Sequence, residues 1–357
     1  MERILRDTDY IIRRKERAKV VNRYEFQLAD RNMRELGMLQ DVDIDINIGN
    51  SNDFEVTVPF EQWDGSIKKG YYIYSHHNEY GGIVGEFKSS TKTREIFVRG
   101  YTWRGMLGKK IIRPDPGEDY RVVKGELNEI LRDLINEQYE DLFEASGEST
   151  GVIIGSMQLD RYCTLLDGIT KILDSVGYRL DIRYVPGTRW EAGYVLIGAE
   201  KIQDHSETIE YSQDGYVEFT ATKNYRGINH LICLGKGELK DRKVIDLYVQ
   251  EDGSIEKDRQ HYKGIEEIAE IYDYSNAEED ELYKKGIEKL KNEMNSSEFK
   301  AEVDEVEEDW PIGDSISGRD YISGIEVSQP IIEKNCTVKD GEIEIEYKIG
   351  GREGQYA

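Results

Sequence analysis

The stretch Asn224–Val249, NYRGINHLICLGKGELKDRKVIDLYV, decides how this chain folds. It holds two apolar runs, Ile228–Leu234 and Lys243–Val249, and between them a polar connection that carries Gly235 and Gly237. Short runs rich in β-branched and aromatic residues, separated by a glycine-bearing loop, predict two paired strands. Apolar and polar positions alternate in the second run, which predicts a strand with one buried face.

Composition bounds the classes of protein that this sequence can encode. The 357 residues are enough for two or three packed units, and the net charge of −24 argues against binding of a phosphate backbone, which needs clustered Lys and Arg. We therefore expect no direct nucleic-acid binding. No apolar run approaches the roughly 20 residues that span a bilayer, and the charged N-terminus lacks an apolar signal core. We expect no membrane anchor, and we expect synthesis in a cytoplasm.

Cysteine usage favours free buried thiols. The three cysteines are odd in number, lie far apart and sit inside apolar runs, namely Cys163, Cys233 and Cys336. Nothing in their spacing resembles a zinc cluster.

The first third of the chain reads as β structure. Two segments, Val42–Ile48 and Phe54–Val58, alternate between apolar and polar residues. Further strand candidates are Tyr71–Tyr74, Gly82–Phe87 and Glu95–Tyr101. Many short strands at this spacing predict a barrel or sandwich, whereas residues 23–36 fit either a strand or a helix.

The middle of the chain changes to helical periodicity. Apolar residues fall at helical spacing over Lys124–Phe143 and Met157–Val176, and strands return at Tyr178–Tyr184 and Gly193–Ile197. A third helical patch is predicted over residues 263–271 and 278–295. The acidic run Glu302–Asp309 indicates a solvated connection before a β-rich end.

This order predicts a mixed, mainly β (α+β) fold with two antiparallel β-barrel domains and a helical or mixed domain split around the second barrel. The first barrel takes residues 1–113, and the helical domain takes 114–205 and 250–305. The second barrel takes 206–249 and 306–350, which leaves 351–357 as a tail. Strands on both sides of a helical insertion must close one sheet, and this is the reason for the split.

The chemistry-bearing residues predict no active site. Gly235 and Gly237 do not form a dinucleotide fingerprint, because position 240 is Lys and a strand follows. The adjacent His76 and His77 point to opposite faces of a strand and do not chelate one metal. With 72 acidic residues, some carboxylate pair always lies at the separation that glycosidases use, so such pairs do not indicate an active site. We expect no catalytic residue, no cofactor and no metal, and therefore no enzyme.

Several blocks of the chain resemble the tail hub proteins of Gram-positive bacteriophages and of phage-tail-like bacteriocins, which are related to the baseplate hub of contractile-tailed phages. The similar blocks are Asn52–Pro59, Arg99–Ile112, the predicted hairpin within Asn224–Val249, Ile312–Val327 and Val338–Gly350. The motif positions are Phe54, Gly100, Leu107, Asn229, Leu234, Gly235, Gly237, Gly313, Asp314, Asp320 and Gly341. The chain departs from the usual pattern at Asn52, where glycine is usual, and at Lys110, where arginine is usual.

The resemblance implies a trimeric symmetry adaptor in the tail or baseplate of a virion or tail-like particle. In that family three copies present six similar barrels to the sixfold tail tube, and the threefold side receives the spike or tail tip. The implied partners are two further copies of the chain, the tail tube protein and the spike or tail-tip protein, with the tape measure protein and surrounding baseplate proteins as further candidates. Two alternatives stay open, namely a tail-associated cell-wall hydrolase or carbohydrate-binding receptor, and a surface adhesin.

Overall fold

The computed structural model describes residues 24–187, 192–205, 210–212, 218–258, 260–304, 309–339 and 342–352. The first 23 residues, residues 305–308 of the acidic run and Gly341 lie outside the described residues. The chain divides into two compact units. The first unit comprises Met1–Lys201, Val303–Pro311 and Lys334–Ile345, and the second comprises Ile202–Glu302, Ile312–Glu333 and Glu346–Ala357. The predicted mainly β class is confirmed, with several antiparallel sheets.

The strands of the first unit follow the predicted ones closely. They are β1 (Phe26–Ala29), β2 (Glu35–Met38), β3 (Asp43–Ile48), β4 (Asp53–Pro59), β5 (Tyr72–Ser75), β6 (Gly81–Ser90), β7 (Glu95–Thr102), β8 (Val122–Glu126), β9 (Phe143–Ala145), β10 (Ile153–Gln158), β11 (Tyr178–Val185) and β12 (Tyr194–Lys201). Two long strands, β21 (Ile325–Lys339) and β22 (Glu342–Arg352), contribute residues to both units. The undecided segment 23–36 therefore contains β1 and the start of β2.

The main antiparallel sheet of the first unit has the order β21-β3-β4-β7-β6-β5-β1-β2. Alternate residues of β3 are buried, as the sequence pattern requires, and they are Ile44, Ile46 and Ile48. The segment Lys334–Val338 of β21 pairs with β3, so residues almost 290 positions apart share this sheet. The first unit also contains a three-stranded sheet of order β11-β12-β9, in which β9 pairs parallel to β12. The strands β8 and β10 form a separate antiparallel pair.

Among the described residues of the first unit, the α-helices are α1 (Trp103–Leu107), α2 (Leu127–Asn136) and α3 (Leu165–Asp174). Both longer helices are shorter than predicted. The side chain of Glu126 accepts hydrogen bonds from the first backbone N–H groups of α2, and Thr164 caps α3 in the same way. The predicted helix Met157–Val176 therefore begins late, because β10 occupies its first residues and Tyr162 adopts a left-handed φ of 58°.

The second unit contains the predicted hairpin of residues 224–249. The described strands of this unit are β13 (Glu210–Ser212), β14 (Glu218–Asn224), β15 (His230–Leu234), β16 (Val244–Val249), β17 (Ile255–Glu256), β18 (Ala269–Asp273), β19 (Ser296–Asp304) and β20 (Ser315–Asp320). Its described residues also form the α-helix α4 (Glu279–Glu293) and two short 3₁₀ turns, Leu239–Asp241 and Gly264–Glu266. The predicted pairing of β15 with β16 is confirmed over Leu234↔Val244 to His230↔Tyr248. The predicted burial of one face of β16 is confirmed as well.

The partners of this hairpin differ from the prediction. We expected it to join strands after residue 306, but it lies in a four-stranded sheet of order β17-β16-β15-β18, packed on α4. The predicted helix over residues 263–271 is wrong, because Gly264–Glu266 form only a 3₁₀ turn and β18, which runs parallel to β15, begins at Ala269. The helical prediction for residues 278–295 is confirmed by α4. The helical pattern of the β18 residues is overridden because their backbone hydrogen-bonds to the buried strand β15.

Strands from either side of this insertion do pair with each other. β14 pairs antiparallel to β19, β13 pairs parallel to β20, and β20 forms a hairpin with the first part of β21. β19 lies within residues 250–305, which the sequence assigned to the helical domain, so its pairing with β14 was not predicted.

Candidate functional site

The motif positions of the first unit support close backbone packing. A side chain at Gly100 would place its Cβ 1.9 Å from the carbonyl oxygen of Ile83 and 2.7 Å from the ring of Phe54, so only glycine fits between β7 and β6. Phe54 and Leu107 are buried in the core. These three residues are structural, and none of them presents a reactive group.

The motif positions of the hairpin fasten its two ends. The Asn229 side chain donates to the carbonyl of Glu266 (2.8 Å) and accepts from the N–H of Ile268 (2.9 Å). At the other end, Gly235 donates its N–H to Lys243 and leaves no room for a Cβ, which would lie 2.9 Å from the Ala277 carbonyl oxygen. The next two motif positions also shape the turn: Leu234 is half-buried in β15, and Gly237 has a φ of 112°.

The motif around residue 314 holds two segments of the second unit together. The buried Asp314 carboxylate accepts from the N–H of Gln203 (3.1 Å) and lies 3.2 Å from Nε2 of His205. Gly313 has a φ of 101° and donates its N–H to Ile331. Asp320 caps the β20–β21 turn through the N–H of Ile322 and the hydroxyl of Ser323.

A cluster of charged side chains around His230 in the second unit was not predicted from the sequence. Both ring nitrogens of the buried His230 meet carboxylates, with Nδ1 2.6 Å from Glu267 and Nε2 2.8 Å from Asp246. The ring also stacks on Tyr248 at 4.4 Å. These contacts join β15, β16 and the segment before β18. A lone histidine in an apolar strand was the available signal.

A second unpredicted cluster lies in the first unit around a buried ion pair. Nζ of Lys334 is 2.8 Å from the Asp309 carboxylate and 4.8 Å from the centre of the Tyr80 ring, and the Tyr80 hydroxyl donates to the same carboxylate at 3.1 Å. Burial, together with the adjacent Asp309 charge, raises the pKa of the Tyr24 hydroxyl. Tyr24 also packs edge-on against Tyr80.

A third pair connects β5–β6, α1 and β11 of the first unit. The guanidinium of Arg104 contacts both oxygens of Glu79 (2.6 and 3.1 Å) and donates to the carbonyl of Leu180 (3.3 Å). Arg104 and Glu79 are both buried. A bidentate contact of this kind fixes the orientation of α1.

Burial also controls the thiols. It raises the pKa of Cys233 from 9.0 to about 11 and raises that of Cys336 and of the half-buried Cys163. All three cysteines are free, as predicted. Thiols in this environment stay protonated and are poor nucleophiles.

A cavity of about 210 Å³ in the first unit has a polar lining. Asn128 lies at its wall, but its amide is already bonded to the carbonyl of Glu148 and to the N–H of Ala199. Another wall residue, Asp181, faces Arg183. The Asn128 amide and the Asp181 carboxylate at this cavity are therefore already engaged by neighbouring groups.

Among the described residues, no three His, Cys, Asp or Glu side chains are arranged to hold a metal ion. In the same part of the chain, none of the helices combines the length and apolar character needed to cross a membrane. His76 and His77 lie in the turn after β5, where His77 has a φ of 63°.

Solved structures with the same fold are tail and baseplate proteins of phages. The 43 kDa tail protein of prophage MuSo2 from Shewanella oneidensis aligns with a TM-score of 0.54 and 13% identity, over 91% of this chain and 98% of that one. The tail protein from Neisseria meningitidis MC58 aligns with a TM-score of 0.51 and 14% identity, over 92% and 97%. The p2 virion baseplate in its activated conformation gives a TM-score of 0.50 and 10% identity, over 91% and 98%.

These similarities show that the chain has a phage tail and baseplate protein fold, as the sequence resemblance implied. By sequence, no protein-family model and no curated protein matches the chain.

Proposed function

We propose that this chain is a structural hub of the baseplate or tail tip of a phage or phage-tail-like particle. Three copies would join the sixfold tail tube to the threefold spike or tail tip. The observation that carries the proposal is the alignment over nearly the whole length of both chains with two tail proteins, 91% and 98% in one case and 92% and 97% in the other. Such coverage means that the chain shares an entire architecture rather than one module.

The proposal includes a two-barrel organisation. The antiparallel order β3-β4-β7-β6-β5-β1-β2, in which all strands come from residues 26–102, supports a first barrel within residues 1–113. The pairing of β14 with β19, across an insertion of about 70 residues, supports a second one split by that insertion. The insertion carries the β15–β18 sheet and α4.

We propose a scaffolding role without catalysis. The buried charged groups of the described residues are paired with one another, as in Arg104–Glu79 and Lys334–Asp309, and the buried thiols are held protonated. These groups stabilise strand junctions. The proposed partners are further copies of the chain, the tail tube protein and the spike or tail-tip protein, with the tape measure and other baseplate proteins around them.

The mass of the purified protein in solution tests the hub. A trimer has three times 41.3 kDa, about 124 kDa, which light scattering after size exclusion separates from a monomer. If the protein is monomeric, co-expression with the neighbouring tube and spike proteins should give a complex with three copies. A stable dimer or tetramer refutes the threefold adaptor, and release of cell-wall fragments by the purified protein favours the hydrolase instead.

A further inference from the structure

A patch of basic and aromatic residues stands out on the first unit of this acidic chain. We call it the basic patch and define it as Tyr101, Lys109, Lys110, Ile111, Arg161 and Tyr162. Two backbone segments hold it in place. Residues 110–112 run antiparallel to residues 163–165, with Ile112 N–H bonded to Cys163 (2.9 Å) and Leu165 N–H bonded to Lys110 (2.8 Å).

The apolar members of the basic patch are exposed. The exposed fractions are 44% for Tyr101, 41% for Ile111 and 56% for Tyr162. Tyr162 is turned outward by a left-handed backbone, a conformation that costs a non-glycine residue about 1–3 kcal/mol and persists only where surrounding structure enforces it. Three large side chains are thus fixed at the surface.

Cations accompany these side chains. Nζ of Lys109 lies 4.3 Å from the ring centre of Tyr101, and the Arg161 guanidinium lies 5.4 Å from that of Tyr162. Among the described residues, neither cation forms an ion pair with a carboxylate. The neighbouring Asp160 is instead engaged by Lys171 at 2.8 Å. The basic patch therefore presents uncompensated positive charge on a chain with a net charge of −24.

We infer that the basic patch binds an acidic surface on a second copy of this chain. The inference rests on the proposed multi-copy hub. In a closed ring each contact is heterologous, so one surface of a copy meets a different surface of the next copy. Acidic residues outnumber basic ones by 72 to 48, so the net charge of the next copy is opposite in sign to the charge of the patch. A patch-to-patch contact would place like charges together and is disfavoured.

The composition of the patch suits a protein contact. Interface centres are enriched in aromatic residues, and rim charges guide association and set register. Basic and aromatic residues together also suit nucleic acid. A strongly acidic chain repels a polyanion, however, so the protein partner is favoured.

The test reverses two charges of the basic patch in the full chain. Lys109→Glu with Arg161→Glu should raise the dissociation constant of the oligomer by roughly 100-fold, which corresponds to about 2.8 kcal/mol. The matched control is Lys68→Glu with Lys69→Glu, which makes the same charge change at exposed positions of the same unit and should shift the constant by less than about 3-fold. Melting curves of each variant alone check that both fold.

Cross-linking separates this inference from the stoichiometry of the hub. Copies labelled with ¹⁵N are mixed with unlabelled copies, and a zero-length carbodiimide joins lysines to adjacent carboxylates. Mixed-isotope links through Lys109 or Lys110 support the inference whether the oligomer is a trimer or not. An oligomer that both variants leave unchanged, or an absence of such links, overturns the inference. Binding of a fluorescent DNA duplex that the patch variant loses would overturn it in favour of nucleic acid.

Discussion

The Lys334–Asp309 pair gives the sharpest prediction of stability. Lys334 is only 3% exposed, and its ammonium lies between the Asp309 carboxylate and the Tyr80 ring. The change Lys334→Met keeps most of the apolar stem and removes the charge. Asp309 then stays in a largely buried position with the Tyr80 hydroxyl as a remaining donor.

Removing one partner of a buried ion pair costs about 3–5 kcal/mol, because the other charge stays buried without compensation. We expect the lower end, about 3 kcal/mol, for Lys334→Met, since the hydroxyl donor persists. Asp309→Ala should cost more, about 4–5 kcal/mol, because it removes the carboxylate acceptor and leaves the Lys334 ammonium with the Trp310 carbonyl at 3.4 Å and the Tyr80 ring. The double variant should lose less than the sum of the two single losses, since neither charge is then unpaired.

Tryptophan fluorescence during urea unfolding measures this loss in the right part of the molecule. All four tryptophans of the chain fall in the sequence ranges of the first unit. The control is Lys171→Met, which removes the exposed pair with Asp160 and should cost less than about 0.5 kcal/mol. Equal losses in Lys334→Met and Lys171→Met, or strictly additive losses in the double variant, would refute the argument from burial.

Three further predictions concern the motif glycine, the buried aspartate and an exposed carboxylate. Gly100→Ala should destabilise the first unit by about 3 kcal/mol or more in the same urea assay, because the added Cβ collides with backbone atoms. The control is Gly85→Ala on the adjacent strand, where the added Cβ meets no close neighbour and stability should change by less than about 1 kcal/mol. Asp314→Ala should cost the second unit about 1–3 kcal/mol, seen as faster hydrogen exchange at the Gln203 amide, and unchanged exchange there would contradict it. Hydrogen bonds from two lysines lower the pKa of Glu278 from 4.5 to about 2. The contribution of the Glu278 ion pairs to folding stability is therefore present above about pH 4.5 and is lost as the pH falls towards 2. Carboxyl ¹³C NMR of Glu278 should report this titration, and a midpoint near 4.5 would exclude the ion pairs.

Much of the local structure could be predicted from the residues. Strict alternation in Asp43–Ile48 and Val244–Val249 reports which side chains face a core, and the structure buries those positions. Helical spacing located α2, α3 and α4, although Glu126 and Thr164 set the actual starts of the first two. Periodicity misjudged residues 263–271, because a short strand at the edge of a sheet carries no distinctive pattern.

The sequence by itself thus determined most of the strands and helices, the mainly β class and the free thiols, because these depend on neighbours within a few residues. Only the tertiary structure decided that β15 pairs with β18, that Lys334 meets Asp309 and that His230 lies between Asp246 and Glu267. Alternation specifies which face of a strand is buried but not which strand lies beside it. That choice is made by the backbone ladders and the packing of the whole unit, where a distant charge either finds its partner or leaves a costly group unpaired.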